Sequence, residues 1–583
     1  MASHEIDGRG GNELKKRGCG CSKQDFLPEQ SFQNWTSYFK ALSETGPRLK
    51  DRLLTRSMDK VELHDMRARS GHEMKKTLYW WDLIWFGMGA VMGSGIFVLT
   101  GAATRLYSGP AIMISYAISG FAAMLAVMCY TEFCVELPVA GGSFTYLRVE
   151  LGDLVAFIAA GNILFEYVVA GASVSRSWTS YLATLFNKSP NDFRIHVPSL
   201  PHDYNYLDPI AIVISAVICV AACLSVKGSS RFNSIATIIH LVVLAFIVIA
   251  GLTKADTENF SDFAPNGIRG ILKASSIIFF AYVGFDGVAT LGEETKKPSR
   301  DVPIGHDEVL LSNLLGQARY FTHIGRTHMA PPFLAKVNER TGTPLNASIV
   351  MTCINSVVAL FTELEVLSNL LSLATLFIFS LVALALLVRR FYVRDETTGS
   401  QKDRMIAMLV LIVGSSIGNS VYWAVGNGGW VGHVVALLIW FGGTLGLQLL
   451  IKLQKKPKSW GVPLVPWLPS ASFAINLFIM GSIDKDAFIR FGIWTLILVV
   501  YYVFIALHAS YDAAHENTRT ADVEEGQHGA STTNIEEEHE GTSTRNIEDG
   551  QHGTSTSNIE DGQQETSRTN DEGQQGGAST SNT

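Results

Sequence analysis

Twelve stretches of the chain stay almost wholly apolar for about twenty residues, the length that carries an α-helix across a bilayer core of about 30 Å. They run over 83–104, 110–131, 151–175, 209–226, 234–253, 274–292, 344–362, 366–388, 405–425, 430–451, 464–483 and 491–510. Residues 366–388 and the whole of 405–451 contain no Asp, Glu, Lys or Arg. A soluble core helix keeps a charged face along its length, and strands end sooner. The pattern therefore predicts an all-α polytopic membrane protein of about 12 spans. Residues 82–511 form its transmembrane domain, between a polar segment 1–81 and a polar tail 512–583.

Composition agrees, with 17% charged residues where soluble chains carry about a quarter. The net charge of −7 conceals a split. The last 72 residues hold three basic and sixteen acidic side chains, a net −13, so the remainder carries +6. Its basic residues punctuate apolar runs and form no single patch, so nucleic acid is not an expected partner. With a cytoplasmic N-terminus, the inner loops hold 19 Lys and Arg and the outer loops 9, so the positive-inside rule places both termini in the cytoplasm. Lys452, Lys455, Lys456 and Lys458 form one inner cluster, and Arg389, Arg390 and Arg394 another. Tyr79, Trp80 and Trp81 sit at the first water–lipid boundary, as belt aromatics do.

The ends carry no evident chemistry. The first segment shows helical patches at 35–42 and 48–69, and its basic stretch 50–69 reads as a solvated lead-in more readily than as a membrane-surface helix. No cleavable leader is expected, because the first apolar run starts after residue 82. Cys19 and Cys21 resemble half of a metal knuckle, but no partner pair follows, so no metal site is expected. In the tail, Asn534, Asn546, Asn558, Asn570 and Asn582 recur every 12 residues among Gln, Gly, Ser, Thr and Glu. Such a segment buries too little to offset its ordering entropy and is expected to be disordered.

Two spans are interrupted. The first holds Gly87, Gly89, Gly93 and Gly95 within nine residues, and each glycine costs a helix about 1 kcal/mol relative to Ala. A break at Gly93, Ser94 and Gly95 exposes N–H groups that favour an anion such as a carboxylate. Close helix packing through Gly89-x-x-x-Gly93 accounts for the same spacing. In the sixth span Gly284 and Gly287 flank Asp286, an acid within an apolar run, and an unwound stretch there offers carbonyls to a cation such as an ammonium group. Glycine-interrupted spans five apart are the pattern of an inverted five-helix repeat with a midplane site. Glu166 and His240 also lie mid-span; the histidine reads more readily as a hydrogen-bonded packing residue than as a relay, and the glutamate is evenly balanced. No Walker A loop, Gly-x-Ser-x-Gly elbow or His-Glu-x-x-His is present, so no enzyme, cofactor or ATP-driven pump is expected.

At these residues the chain resembles the amino acid–polyamine–organocation superfamily. The run Gly-Ala-Val-Met-Gly-Ser-Gly-Ile-Phe-Val-Leu-Thr-Gly (89–101) is similar to its first-helix signature. Phe-Ala-Tyr-Val-Gly-Phe-Asp (280–286), followed by the run 293–305, is similar to its sixth. Gly-Gln-Ala-Arg-Tyr (316–320), Arg-Thr-Gly-Thr-Pro-Leu-Asn-Ala (340–347) and Leu-Val-Arg-Arg (387–390) resemble cationic amino acid transporters, and 69–78 and 460–472 resemble their plant branch. The resemblance implies a five-plus-five inverted-repeat, leucine-transporter-like core with extra C-terminal helices. It implies a secondary-active, proton-coupled symport of arginine and lysine, with an amino acid, protons and the lipid bilayer as partners. The plasma membrane is the expected place, with the vacuolar membrane as alternative. By the same resemblance, backbone at Gly93, Ser94, Gly95 and Ile96 would hold the substrate carboxylate. Carbonyls near Phe280, Ala281 and Val283 would hold its ammonium, with Asp286 and Glu166 as nearby acids. His240 stands where some relatives carry a lysine in place of a sodium ion, so it is the coupling candidate. The sequence carries no signature of oligomeric state.

The chain departs from the family in one place. Only residues 306–315 lie between the Pro-Ile-Gly after the sixth span and the Gly-Gln-Ala-Arg-Tyr run, where the family has its seventh span and most of its eighth. About 70 residues are skipped, two spans and their loop. Loss of two spans keeps every later loop on its side. It also makes a shortened, non-transporting variant that binds amino acids or regulates full-length carriers the alternative reading.

Overall fold

The computed structural model describes residues 26–54, 95–136, 142–224, 226–283, 310–338, 343–393, 396–426, 429–457 and 460–515. Cys19, Cys21, the aromatic belt at 79–81, Arg394, Lys458 and the repeats after 516 lie outside them. The regular structure of the described chain is helical except for a two-stranded ribbon, β1 (Ile195–His196) antiparallel to β2 (Tyr206–Leu207). Six stretches within it are long and apolar enough to cross a bilayer unaided, and four apolar helices are shorter.

The centre of the bundle is α12 (Leu364–Phe391), buried along nearly its whole length. It packs on α4 (Ile112–Glu136), α5 (Gly142–Leu151), α6 (Asp153–Leu185), α15 (Trp467–Met480) and α16 (Lys485–Tyr501). A helix apolar on every side and sheathed by other helices has no lipid-facing stripe to keep. The hairpin of α13 (Gly399–Val425) and α14 (Trp430–Leu450) is the opposite case. It exposes Val410, Val421, Leu437 and Leu438, the surface a hydrocarbon solvent requires.

Several helices depart from their apolar windows. The window 151–175 falls on the first part of α6, which starts two residues later and continues to Leu185, with Arg176 buried in its length. Its guanidinium donates to the carbonyls of Ala359 and Tyr206, each at 3.2 Å. The following loop is tied back by Asp208, which accepts from Thr179 at 2.7 Å and pairs with Arg194 at 3.2 Å. The windows 209–226 and 234–253 correspond to α7 (Pro209–Leu224) and α8 (Val226–Thr253), the latter starting eight residues before its apolar run. The window 344–362 corresponds to α11 (Leu345–Phe361). For 464–483 the helix α15 has only 14 residues, since Pro463 and Pro466 precede it. Helix α5 occupies what reads as an inner loop, and buries Phe144, Tyr146 and Leu147. Gly152, at φ 91°, makes the turn from α5 into α6, a conformation side-chain-bearing residues avoid.

The basic pair Arg389 and Arg390 is a core feature, not a solvated cluster. Arg389 pairs with Glu136 at the end of α4 and with Glu150 of α5 at 2.5 Å. Arg390 pairs with Glu132 at 2.7 Å, and Glu132 also accepts the Val462 N–H at 2.7 Å. All five charged side chains are under one-tenth exposed. Residues 26–54 are likewise docked, not a free lead-in. They contain α1 (Trp35–Ser43) and α2 (Thr45–Leu54). The Ser31 N–H donates to Asp512 at 2.7 Å, and Arg48 pairs with Asp512 at 3.2 Å while stacking over Tyr511. Glu29 meets His328 at 2.6 Å, and Arg52 joins Arg148 around Asp153.

Removing one partner of a buried ion pair costs about 3–5 kcal/mol, because the other charge is stranded. Arg390→Met is therefore expected to lower the melting temperature of the detergent-purified chain strongly, and Glu132→Gln in the same chain to restore part of the loss. A melting curve of the single variant that superimposes on the native one would contradict this.

Candidate functional site

The first interrupted segment enters the described chain at Gly95. Residues Gly95–Leu99 form a π-helical turn, followed by one short α-helical turn, α3 (Thr100–Ala103), and a second π turn at Thr104–Ser108. Such widened turns accompany inserted or strained positions in a helix and recur at functional sites. The strand of chain then bends at Gly109, φ 56°, into α4.

The second interrupted segment is the end of α9 (Gly267–Ile278). Its α-helical bonding stops at Ile278 and tightens to a 3₁₀ turn over Phe279–Tyr282. Val283 then adopts extended backbone, ψ 143°, with its N–H bonded to the Phe280 carbonyl at 3.1 Å. The helix thus ends before Gly284, inside the apolar run. Phe280, Ala281 and Val283 are all buried.

These two irregular segments meet. Gly95 is buried, and a Cβ added there would lie 2.6 Å from the Ala281 Cα and 2.8 Å from the Ala281 nitrogen. Only a residue without a side chain permits that approach of backbone to backbone. Ile96 and Ala281 belong to one small apolar cluster with Ala103, Ala274 and Ile278. The Ile96 carbonyl accepts from the Thr100 hydroxyl, which also touches the Tyr116 hydroxyl. The Tyr282 hydroxyl donates to the Tyr116 carbonyl at 3.0 Å.

Helix α4 fastens α9 from one side with small hydroxyls. Ser115 donates to the Ile271 carbonyl at 2.9 Å and Ser119 to the Ser275 carbonyl at 2.8 Å. The tyrosines and serines of this brace escape a reading by periodicity. Each is an ordinary polar residue in an apolar span, and only their positions at Tyr116, Ser115 and Ser119, one face of α4, hint at a shared role.

Of the other expected site residues, His240 lies on α8 with its ring 5.7 Å from that of Phe97, beside the first segment. Its Nδ1 is buried and finds no hydrogen-bond partner among the described residues. Glu166 is 1% exposed at mid-length of α6. The next residue, Tyr167, accepts through its carbonyl a bond of 2.7 Å from Gln317 of α10 (Leu310–Arg326). Gly93, Ser94 and Asp286 lie outside the described residues. Among the described residues no three His, Cys, Asp or Glu side chains gather as a metal site would need.

Comparison with known proteins identifies the family. Residues 78–306 match the family described as "Amino acid permease", and residues 460–510 the one described as "C-terminus of AA_permease". The chain is 53% identical to Cationic amino acid transporter 1 of Arabidopsis thaliana, over 87% of this chain and 95% of that one. It is 44% identical to Cationic amino acid transporter 8, vacuolar, of the same plant, over 90% and 98%. It is 28% identical to the Methylthioribose transporter of Bacillus subtilis, over 77% and 98%. The first of these alignments takes 564 positions for 87% of 583 residues, so about 57 of its positions hold no residue of this chain. The permease match ends at residue 306, where the sequence departs from its family. The chain is a multi-pass membrane protein that belongs to the plant branch of the cationic amino acid transporters, within the amino acid–polyamine–organocation superfamily.

Proposed function

We propose that this chain is a secondary-active carrier of arginine and lysine, driven by a proton gradient through alternating access. The observation that supports it best is the contact of Gly95 backbone with Ala281 backbone between two interrupted helices. Peptide groups freed by such interruptions need partners at bilayer depth, and a zwitterion supplies both signs of charge. The N–H groups of residues 93–96 hold the carboxylate. The carbonyls of Phe280, Ala281 and Val283 hold the ammonium, with Asp286 three residues further on. Glu166 pairs with the cationic side chain of the substrate. His240, against Phe97, takes and releases the coupled proton. The membrane is the plasma membrane, with both termini in the cytoplasm and the vacuolar membrane as alternative.

A second reading is favoured by one feature. The permease match ends at residue 306, and alignment with Cationic amino acid transporter 1 leaves about 57 positions without a residue of this chain. On this reading the chain is a shortened product that binds amino acids or regulates full-length carriers without moving substrate.

Uptake of radiolabelled arginine in carrier-deficient yeast separates the two. With surface delivery verified, uptake above the empty-vector level is the expected result, and none would favour the shortened, non-transporting form. A hydrogen bond to a charged group contributes about 1.5–3 kcal/mol, so Glu166→Gln is expected to weaken arginine uptake roughly ten- to hundredfold and neutral amino acids far less. Equal loss for both classes would reject that role. Gly95→Ala forces two backbones apart at about 1–3 kcal/mol and is expected to depress uptake about tenfold. Gly101→Ala, with open space around it, should leave uptake unchanged.

A further inference from the structure

Helix α12 carries charge at both of its ends. Arg389 and Arg390 lie in its last turn and Glu365 in its first, about 36 Å away at 1.5 Å per residue. At the Glu365 end one lysine is drawn into the bundle. Lys273, on α9, has a side chain only 16% exposed, and its Nζ lies 2.6 Å from the Oδ1 of Asp484, the residue before α16. The same Nζ stands 5.8 Å from the ring centre of Tyr107, in the second π turn. Tyr107 donates its hydroxyl to Glu365 at 3.2 Å. Asn369, one turn beyond Glu365 on α12, donates from its amide to the other Asp484 oxygen at 3.1 Å.

This cluster is incompletely satisfied. An ammonium has three N–H donors. The Lys273 Nζ is buried, and beyond its ion pair it finds no hydrogen-bond acceptor among the described residues. Asn369 is 7% exposed, and its Oδ1 is buried with no donor among them. Glu365 is exposed and met by the neutral Tyr107 hydroxyl, with no Lys, Arg or His of the described residues at ion-pair distance. Two carboxylates thus share one ammonium, which leaves one negative charge over.

We infer that Asp484 and Asn369 form a docking site for the guanidinium side chain of an incoming substrate, and that Lys273 holds the place until it arrives. A guanidinium presents five N–H groups in a planar fork, which a carboxylate accepts two at a time. It reaches both Asp484 oxygens and brings the donor that the Asn369 Oδ1 lacks. Lys273, once displaced, turns across the Tyr107 ring to Glu365. The exchange strands no charge, since two cations then face two carboxylates, and the penalty of an opened ion pair is avoided. A neutral amino acid has no cation to exchange and leaves Lys273 where it is. Tyr107 and Lys273 belong to the two elements that meet at Gly95 and Ala281, and Lys273 precedes Ala281 by eight residues, about 12 Å along α9. The docking site is therefore a separate station on the way to that meeting point. It rests on the proposed reading of a cationic substrate and cytoplasmic termini, which puts this end of the bundle outside.

The test reads the Lys273 amine directly. The full-length chain, purified in detergent, is treated briefly with excess acetic anhydride, and acetylation of each lysine is measured by mass spectrometry. Without ligand, Lys273 is expected to be shielded and the exposed Lys254 to react. Arginine should raise Lys273 acetylation about tenfold, the population change of about 1.4 kcal/mol. Propylguanidine, a guanidinium with neither carboxylate nor amine, should do the same. Leucine should not, and Lys254 should respond to none of the three. The response should persist in Glu166→Gln. In Asp484→Asn, Lys273 should react without ligand and gain nothing from it. Four results would each overturn the docking site: Lys273 shielded with every ligand, a response to arginine but not to propylguanidine, a response lost in Glu166→Gln, or one that survives Asp484→Asn. The ligand comparison in the native chain decides the matter even if neither variant folds. Arginine uptake with Lys273 always shielded would keep the carrier reading and remove this one; exchange at Lys273 without uptake would do the reverse.

Discussion

In hydrocarbon an unpaired peptide group costs several kcal/mol, so a span that stops being a helix must be covered by protein at the point where it stops. In this chain two such points cover each other. The π-helical turn at Gly95–Leu99 lies against the 3₁₀ turn at Phe279–Tyr282, and the absence of one side chain at Gly95 sets their separation. The surrounding bundle follows from that meeting. Helix α4 braces α9 through Ser115 and Ser119, Tyr116 links Thr100 to Tyr282, and α12 fills the middle, buried along nearly its whole length.

A second set of forces works at one end of the bundle. Arg389 and Arg390, at the last turn of α12, reach acids on α4 and α5, and Arg52, Arg148 and Asp153 gather at the start of α6. Each charge is buried and each has an opposite partner, so the group specifies how five helix ends sit together more than it adds net stability. Hydrophobic contact between apolar helices is weak as a guide to register in a bilayer, since lipid is as good a neighbour as leucine. Paired charges have one good arrangement.

Much of the helical content was legible in the sequence, because a bilayer demands long apolar runs and these have few other uses. The interruptions were legible too: glycines clustered in an apolar run conflict with helix propensity, and Gly95 and the stretch ending at Val283 lie where that conflict is strongest. What escaped was the part that depends on partners distant in the chain. Arg176 reads as a loop residue, yet its acceptors lie near 206 and 359. Arg389 reads as an interfacial cation, yet its acids lie at 136 and 150. Helix α5 is too short and too mixed to register as a span, and α15 is cut down by prolines that window averaging smooths over. The site carries the same division. The glycines and Glu166 stand out as residue types in the wrong environment, whereas Tyr116, Ser115 and Ser119 matter through what they touch.

The pairing of Ser31 and Arg48 with Asp512 has a consequence for how the molecule is bounded. Sequence places these groups on either side of the bundle; space makes them a single patch, on which residues 26–54 form the seat for the end of the last described helix. The last helix is held at its exit by residues that precede the entire bundle, so its register is set only once the whole of the intervening chain has been threaded. An alteration of charge at Arg48 or Asp512 is thereby felt on both sides of the bundle, and the patch acts as a seal on a finished assembly.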